Sequence, residues 1–185
     1  MAAPQEKTIR DLNGTWCMNK ILSDDPDAIL SLQGVGWIIR KAISMITVTL
    51  IVKQYEQDGK VHIDIEQPGT AGIKGTSEHR VVESGWNDHE DHVFGAVKSI
   101  STWQKLSELK DSDEDEAFLK KGWCQSTVEK DEVIKSHAES LTNGWTATQI
   151  WGFAVVNDEY RYVRNVVVKK GSKTIRSRLV YDYKG

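Results

Sequence analysis

From Thr47 to the C-terminus, apolar and polar residues alternate with a period of two, the pattern of β-strands that bury one face. Residues 61–65 show this alternation clearly, and the Asp-Gly pair within 57–60 supplies a hairpin turn before them. An earlier strand is expected from Leu12 to Leu22. The pattern therefore predicts ten strands, at 12–22, 47–53, 61–65, 73–83, 93–103, 118–127, 132–140, 146–156, 160–169 and 173–183.

A pair of short helices is predicted between the first two strands. Residues 23–27, Ser-Asp-Asp-Pro-Asp, supply a capping side chain, early acidic residues and a proline for the first turn. The Gly-Val-Gly stretch at 34–36 interrupts this helix, and a second is expected at 37–45, unless the strand already begins at Ile43. The segment 24–45 is expected to cover the mouth of the fold with its apolar side chains, including Ile29, Leu32, Ile38 and Ile39.

Many antiparallel strands in sequential order favour an up-and-down β-barrel, because closure leaves no unpaired strand edges. The fold class predicted is therefore mainly β, a ten-stranded antiparallel barrel with a helix-turn-helix lid between strands one and two. The 185 residues fit one domain, which we place at 11–185 after a flexible N-terminus at 1–10.

Composition and charge exclude several classes of function. A net charge of −3 without a basic block argues against a nucleic-acid partner. The longest uncharged apolar run, 42–52, is shorter than the roughly 18 residues of a membrane-spanning helix, so no stable membrane insertion is expected. Two cysteines and an N-terminus without an apolar signal segment indicate a cytoplasmic protein. We expect a monomer or homodimer.

The N-terminal part of the chain resembles a known superfamily. Residues 12–16, Leu-Asn-Gly-Thr-Trp, resemble the opening Gly-x-Trp strand of the calycins, which include lipocalins and intracellular fatty-acid-binding proteins. Residues 32–37, Leu-Gln-Gly-Val-Gly-Trp, followed by Arg40 and Lys41, resemble the helix-turn-helix of the fatty-acid-binding proteins. The chain is also similar to small lipocalin-like proteins of filamentous fungi. The resemblance implies a flattened barrel that holds a fatty acid, retinoid or bile acid beneath a helical lid.

Two departures from the family pattern concern the ligand. The chain is longer than the usual fatty-acid-binding protein, with the extra length between 86 and 145. The family's last strand carries an Arg-x-Tyr pair that binds a carboxylate, whereas this chain has Arg178 and Tyr181 three positions apart. Only a bulge would bring these two side chains to one face, so recognition of a carboxylate is left open.

Arginine and aromatic residues on the later strands are the candidates for ligand contact. Arg161 and Arg164 lie on opposite faces of one strand, so one points inward and needs an acidic partner or an anionic ligand. One face of 145–155 is largely aromatic, which is typical either of a pocket wall or of ordinary core packing. The predicted ligand-binding residues are Ile38, Ile39, Gln149, Trp151, Phe153, Arg164, Arg178 and Tyr181.

The candidate catalytic residues are His137, Tyr181 and Arg178, with the histidine as a general base near neutral pH. The stretch 89–92, His-Glu-Asp-His, has metal-ligand residue types, but its spacing favours a solvated hairpin loop. The acidic run 111–116 is likewise expected to be a solvated loop tip. No established catalytic or cofactor-binding motif occurs, so neither a metal nor a cofactor is expected.

The sequence leaves two functions open. The leading hypothesis is an intracellular binding protein that holds a small apolar ligand, such as a fatty acid, terpenoid or polyketide-like molecule, inside the barrel. The alternative is a cofactor-independent cyclase or isomerase of the pericyclase type in secondary metabolism. Such an enzyme needs only a shaped apolar cavity and one or two polar groups, so it need not carry a recognisable motif.

Overall fold

A computed structural model describes residues 1–70, 72 and 74–185 of the chain. Its strands are β1 (Gly14–Met18), β2 (Thr49–Gln57), β3 (Lys60–Gln67), β4 (Thr76–Val81), β5 (Asn87–Asp91), β6 (Gly95–Gln104), β7 (Val133–Ser140), β8 (Trp145–Val156), β9 (Glu159–Lys170) and β10 (Lys173–Tyr183). Its helices are α1 (Asp27–Leu32), α2 (Trp37–Met45), α3 (Glu114–Leu119) and α4 (Gln125–Lys130), with a 3₁₀ turn at Leu106–Glu108. The first residue of the predicted strand 73–83 lies outside the described residues.

The ten strands form one antiparallel sheet in the order β4-β3-β2-β1-β10-β9-β8-β7-β6-β5. The sheet curls into a nearly closed barrel whose free edges, β4 and β5, face each other without a backbone ladder between their described residues. The side-chain amide of Asn87 donates to the carbonyl of His79 across this gap, at 3.3 Å. The predicted ten-stranded barrel, with a helical pair between β1 and β2, is confirmed.

The Gly-x-Trp strand begins where backbone and aromatic ring approach closely. Gly14 has a φ of +132°, and a Cβ there would lie 2.6 Å from the Tyr183 ring, so only glycine fits without rearrangement. Trp16 is fully buried, and its indole nitrogen donates to the carbonyl of Leu12. The ring packs against Tyr162 and Phe153 in the main core of the barrel.

Part of the segment 1–10, expected from the sequence to be flexible, packs against the barrel. Ala3 and Ile9 are buried in the main core. The amide of Ala3 donates to the carbonyl of Tyr160, and the Tyr160 hydroxyl donates to the carbonyl of Lys7. The small or apolar side chains at positions 3 and 9 give the segment a buried face that its polar composition obscures.

The strand predicted at 118–127 is wrong, because this region forms the helices α3 and α4. The Asp113 carboxylate accepts hydrogen bonds from the backbone amides of Asp115 and Glu116, which starts α3 inside the acidic run predicted to be a loop. The tenth strand is instead β5, in the region predicted to be a solvated hairpin loop. Its polar side chains hide a strand that pairs with β6 over all five residues.

Residues 105–131 form a layer on the outer face of β7, β8 and β9. Leu106, Leu109 and Leu119 pack there against Val133, Ile150 and Val167 in a second core. The side-chain nitrogen of Asn165 on β9 lies within 3.3 Å of three carbonyl oxygens of this layer, those of Phe118, Leu119 and Lys121. β9 is therefore buried on both faces, one toward the barrel interior and one toward the layer.

The described residues include no helix that is long and apolar enough to cross a membrane.

Candidate functional site

The barrel interior contains a cavity with two adjoining lobes. The larger lobe, about 220 Å³, lies beneath the helical pair, and the smaller, about 90 Å³, lies beside the β4–β5 gap. Four residues line both lobes: Gln33, Glu78, Phe94 and Gln149. A ligand could therefore occupy the larger lobe and extend a group into the smaller one.

Apolar side chains from the helical segment and the facing strands enclose about half of the larger lobe. The helical segment contributes Pro26, Ile29, Leu30, Ile43 and Ile46, and the strands and loops contribute Met18, Val48, Leu50, Val93, Val166 and Leu179. Ile29 is only 6% exposed, because α1 lies against Trp145, Ala147 and Val166. The helical pair thus covers the cavity with its α1 side.

The Arg164 guanidinium lies in this lobe without a carboxylate hydrogen-bonded to it among the described residues. The alternation of β9 turns Tyr162, Arg164 and Val166 inward. The Nε of Arg164 donates to the Tyr162 hydroxyl at 2.8 Å, and the guanidinium lies 4.0 Å from the Trp151 ring centroid. The buried Nη2 of Arg164 has no hydrogen-bond partner among the described residues. This nitrogen is therefore free to donate to a ligand.

The phenols around Arg164 stay neutral at physiological pH. Burial raises the pKa of Tyr162 to about 12, although the adjacent Arg164 charge opposes the shift. Burial likewise raises the pKa of Tyr181, whose ring is 5.5 Å from the Arg164 guanidinium. For Arg164, burial acts to lower the pKa, but Tyr162, Tyr181 and Glu78 together raise it, so the guanidinium remains charged.

A second arginine in the interior is already neutralised. Arg80 binds Glu78 through Nε and Nη2, at 2.9 and 2.6 Å, and its Nη1 donates to the Ser136 hydroxyl. Burial alone would raise the pKa of Glu78, but the charge and hydrogen bonds of Arg80 lower it, with help from Arg164. Glu78 is therefore a carboxylate, and Arg164 is the guanidinium that this pair leaves available to a ligand.

Polar and charged residues make up most of the lining of the smaller lobe. β5 contributes Asn87, His89 and Asp91, and the opposite wall contributes Trp145 and Ala147. The His89 Nε2 lies 3.2 Å from an Asp91 carboxylate oxygen. The indole nitrogen of Trp145 is buried and has no partner within the described part of the chain.

Four of the predicted ligand-binding residues meet at the cavity: Gln149, Trp151, Arg164 and Tyr181. Gln149, Arg164 and Tyr181 line the larger lobe. The Trp151 indole lies against the Arg164 guanidinium and donates to the side-chain amide oxygen (Oε1) of Gln149 at 2.9 Å. Their roles in binding stay predictions, but the structure brings them within reach of one ligand.

The other predicted site residues lie elsewhere. Phe153 stacks on Tyr160 in the main core, and Ile38 is 76% exposed on α2. Ile39, half-buried, is not among the residues lining either lobe. Arg178 faces outward, where Nη2 donates to the Gly122 carbonyl, because the regular ladder with β9 leaves no bulge to turn it inward. His137 also faces outward and contacts the Thr148 hydroxyl.

Sequence reasoning missed Glu78, Arg80, His89, Asp91 and Gln33 as cavity residues. The strands β4 and β5 contain almost no apolar residues. They therefore lack the alternation of apolar and polar residues that shows which face of the other strands points inward. One usable signal was present. Glu78 and Arg80 have opposite charges at a two-residue spacing, which places an ion pair on one strand face.

Solved structures with the same architecture include fatty-acid-binding proteins. The brain fatty-acid-binding protein of Drosophila melanogaster is 16% identical, covers 93% of this chain and 99% of its own, and superposes with a TM-score of 0.55. A Schistosoma mansoni fatty-acid-binding protein in complex with arachidonic acid is 17% identical, covers 94% of this chain and 96% of its own, with a TM-score of 0.53. These likenesses show the fold and confirm the resemblance to the calycins.

Sequence comparison finds relatives that are named pericyclases and not fatty-acid-binding proteins. No known family model matches the chain. The protein named probable pericyclase scpY, of Mollisia scopiformis, is 32% identical over 186 aligned positions that cover 100% of this chain and 95% of the relative. Pericyclase pydY of an Acremonium species is 29% identical over 100% of this chain and 98% of its own length. The chain therefore belongs to the family of these two fungal proteins, built on the barrel of the fatty-acid-binding proteins.

Proposed function

We propose that the protein catalyses a pericyclic ring closure of an elongated, polyunsaturated substrate in the larger lobe. The observation that carries the proposal is the Nη2 of Arg164, a buried charged donor that has no hydrogen-bond partner among the described residues and whose side chain lines the larger lobe. The names of the two relatives support the reaction class. In such a reaction π bonds become σ bonds within one molecule, so no proton, electron or leaving group has to be supplied.

The cavity would contribute first by holding the substrate in a folded conformation. Ring closure of a flexible chain is slowed by the entropy lost when its two reacting ends meet. Apolar walls formed by α1 on one side and by Val166 and Leu179 on the other would keep those ends together and exclude water. The shape of the lobe and the cover over it therefore determine this part of catalysis.

Arg164 would contribute the electronic part of catalysis. A hydrogen bond from Nη2 to a carbonyl conjugated with one reacting double bond withdraws electron density from that bond. The developing charge on the carbonyl oxygen is then stabilised by a donor that is already in place, in a medium of low polarity. The Tyr162 hydroxyl and the Trp151 ring fix the guanidinium, so Nη2 is oriented before the substrate arrives.

The proposal is tested with a synthetic chain that joins a conjugated diene to an α,β-unsaturated ketone. Ring closure leaves the mass unchanged and removes the diene absorbance, so it is followed by ultraviolet spectroscopy and chromatography. We expect the protein to accelerate closure and bias its stereochemistry, and Arg164→Met to lose most of the acceleration. Closure at the same rate and with the same stereochemistry as with heat-denatured protein would contradict the proposal.

A second candidate function is carriage without chemistry. It is favoured by a covered lobe that combines apolar side chains with the Arg164 guanidinium, which suits an apolar ligand with a polar head. The same incubation separates the two functions. A carrier would bind the diene–ketone chain tightly and release it unchanged on extraction.

The proposed partner in either case is a small apolar ligand and not a nucleic acid, in keeping with the net charge of −3. The cytoplasmic location and the monomeric or homodimeric state stay proposals. Light scattering of the purified protein and microscopy of a fluorescent fusion test them.

A further inference from the structure

We propose that the smaller lobe is a proton-transfer site. His89, positioned by Asp91, acts there as a general base that removes a proton from the carbon next to a carbonyl group of the ligand. This activity goes beyond the proposed ring closure and does not depend on it. It would let the protein interconvert keto and enol forms, or epimers, of a carbonyl ligand.

The sheet register places the two side chains inside the barrel. His89 is paired with Val97 and Asn87 with Ser99, and both residues on β6 are buried and line the smaller lobe. Directly paired residues point to the same face of a sheet. Asp91 follows His89 by two positions and so shares that face.

The Asp91 carboxylate is held in place by the backbone. One oxygen accepts hydrogen bonds from the amides of Val93 and Phe94, at 2.7 and 2.8 Å, and the other faces the His89 Nε2. A carboxylate can only accept, so Nε2 carries the proton and Nδ1 keeps its lone pair. The Nδ1 atom makes no hydrogen bond to the described residues. Asp91 is thus the positioning residue, and His89 Nδ1 is the base.

The opposite wall offers a donor for the oxygen of the substrate. The Trp145 side chain lines the same lobe, and its buried indole N–H has no acceptor among the described residues. A buried donor without an acceptor is rare in folded proteins, and a ligand carbonyl would satisfy it. Glu78 and Asp91, which also line the lobe, would stabilise the imidazolium formed during the reaction.

The proposed step conserves atoms and electrons within the protein and its ligand. Nδ1 takes the proton from the carbon next to the carbonyl, and the C–H electron pair becomes a carbon–carbon double bond. The carbonyl π pair moves to oxygen, which accepts from the Trp145 N–H. The imidazolium then returns the proton to the oxygen or to a carbon of the conjugated system, so neither an oxidant nor a reductant is needed.

The test uses 5-nitrobenzisoxazole, an apolar probe in which a base removes the C–H proton of the isoxazole ring. The N–O bond then breaks, and the product is a coloured phenolate that carries a nitrile group. We expect the wild type to accelerate this elimination over free imidazole, and His89→Gln to lose about 100-fold of the rate. Asp91→Asn should reduce the rate and shift the proton of His89 toward Nδ1, as seen in ¹⁵N NMR. His92→Gln, at the exposed histidine three positions away, should retain the wild-type rate.

A rate in folded His89→Gln equal to that of the wild type would overturn the proposal. If that variant does not fold, ¹⁵N NMR of the wild type tests the proposal instead. Chemical shifts that place the proton of His89 on Nδ1 at neutral pH would equally overturn the proposal. The diene–ketone chain closes without losing a proton, so His89→Gln should still close it. Elimination of the probe without ring closure of the diene–ketone chain would support the His89 site and contradict the pericyclase proposal. Ring closure without elimination would support the pericyclase proposal and contradict the His89 site.

Discussion

The Arg164 guanidinium lies against the indole of Trp151, its direct cross-strand partner, at 4.0 Å from the ring centroid. Arg80 approaches the same indole, with its guanidinium 5.3 Å from the centroid. A cation over an aromatic face is stabilised by the ring quadrupole, and more strongly when both are shielded from water. Trp151 therefore supports two like charges inside the barrel, of which only one is paired with a carboxylate.

Arg164→Met is expected to weaken the binding of an anionic apolar dye such as anilinonaphthalene sulfonate. The loss of a buried charge-assisted hydrogen bond corresponds to about 1.5–3 kcal/mol, or roughly tenfold or more in affinity. The free energy of unfolding should stay within about 1 kcal/mol of wild type, because an incompletely paired buried charge is replaced by an apolar side chain. Fluorescence titration and urea unfolding measure the two quantities.

The control is Arg176→Met, which removes an outer-surface guanidinium that pairs with Glu114 and Asp115. It should leave dye affinity unchanged. Equal affinity in wild type and Arg164→Met would show that the dye and the free guanidinium do not meet.

Ile29→Ala and Ile38→Ala are expected to differ in their effect on the same dye, although both shorten an isoleucine of the helical pair. Ile29 faces the larger lobe and Ile38 faces solvent. Truncating Ile29 should lower affinity by about 1–2 kcal/mol, since part of its buried apolar surface no longer contacts the ligand. Truncating Ile38 should have no measurable effect. Similar losses in both variants would mean that the ligand contacts the outer surface of the pair.

Glu78→Gln should change how stability depends on pH. The pKa of Glu78 is lowered in the fold from an ordinary value of 4.5, despite the opposing effect of burial, because Arg80 favours the carboxylate. Ionised Glu78 therefore stabilises the fold above pH 4.5, and this contribution is lost as the pH falls through the lower pKa of the folded state. The gap in unfolding free energy between wild type and variant should narrow below pH 4.5.

Urea unfolding across that acidic range measures the gap, and Glu56→Gln, at an exposed position on β2, serves as the control. A gap of constant size at every pH would show that the Glu78–Arg80 pair is not formed in solution.

Asn165→Ala is expected to lower the free energy of unfolding by about 1–3 kcal/mol, since three carbonyl oxygens of the outer layer lose a donor. Asn165→Asp should be worse, because it places a carboxylate against those oxygens. Asn143→Asp, at an exposed position, is the matched control and should be nearly neutral. Chemical denaturation of all three gives the order, and an Asn165→Asp variant as stable as Asn165→Ala would contradict the packing described.

Gly152→Ala should destabilise the protein by about 1–3 kcal/mol through overpacking. A Cβ at this position would lie 3.0 Å from the Trp123 ring, on the outer face of β8. At Gly36 a Cβ would meet no atom within 4 Å, so Gly36→Ala is the comparison without overpacking and should cost only about 0.5–1 kcal/mol, because alanine is a poorer N-cap of α2 than glycine. Thermal unfolding followed by circular dichroism distinguishes them, and equal melting temperatures would show that Trp123 does not pack on β8.

The sequence was most informative where apolar residues alternate. On β8 and β9 the alternation identifies the face that carries Gln149, Trp151 and Phe153, and the structure turns that face inward. The alternation does not show how far along the barrel axis each of these side chains lies. Phe153 therefore shares the face of Gln149 yet packs in the main core beside Trp16.

Strand register, strand propensity and helix capping explain the remaining differences between the sequence-based predictions and the structure. Arg178 and Tyr181 could share a face only through a bulge, and the unbroken pairing of β10 with β9 from Lys173 to Tyr181 excludes one. β5 was missed because its five polar residues lack strand propensity and gain their structure from the β6 ladder. α3 was missed because the acidic run that caps it resembles a solvated loop.

The two walls of the cavity differ in how freely they can change. Residues of β9 from Tyr162 to Val168 alternate between the interior and the outer side of the barrel. The strand that holds Arg164 is therefore packed on both faces, and substitutions along it disturb the packing of one side or the other. β4 and β5 are the edge strands of the sheet, and their inward side chains, including Glu78 and His89, line the cavity. We therefore expect substrate range to diverge, in evolution or in directed selection, through substitutions along the β4–β5 margin, while the wall that anchors the guanidinium is inherited unchanged.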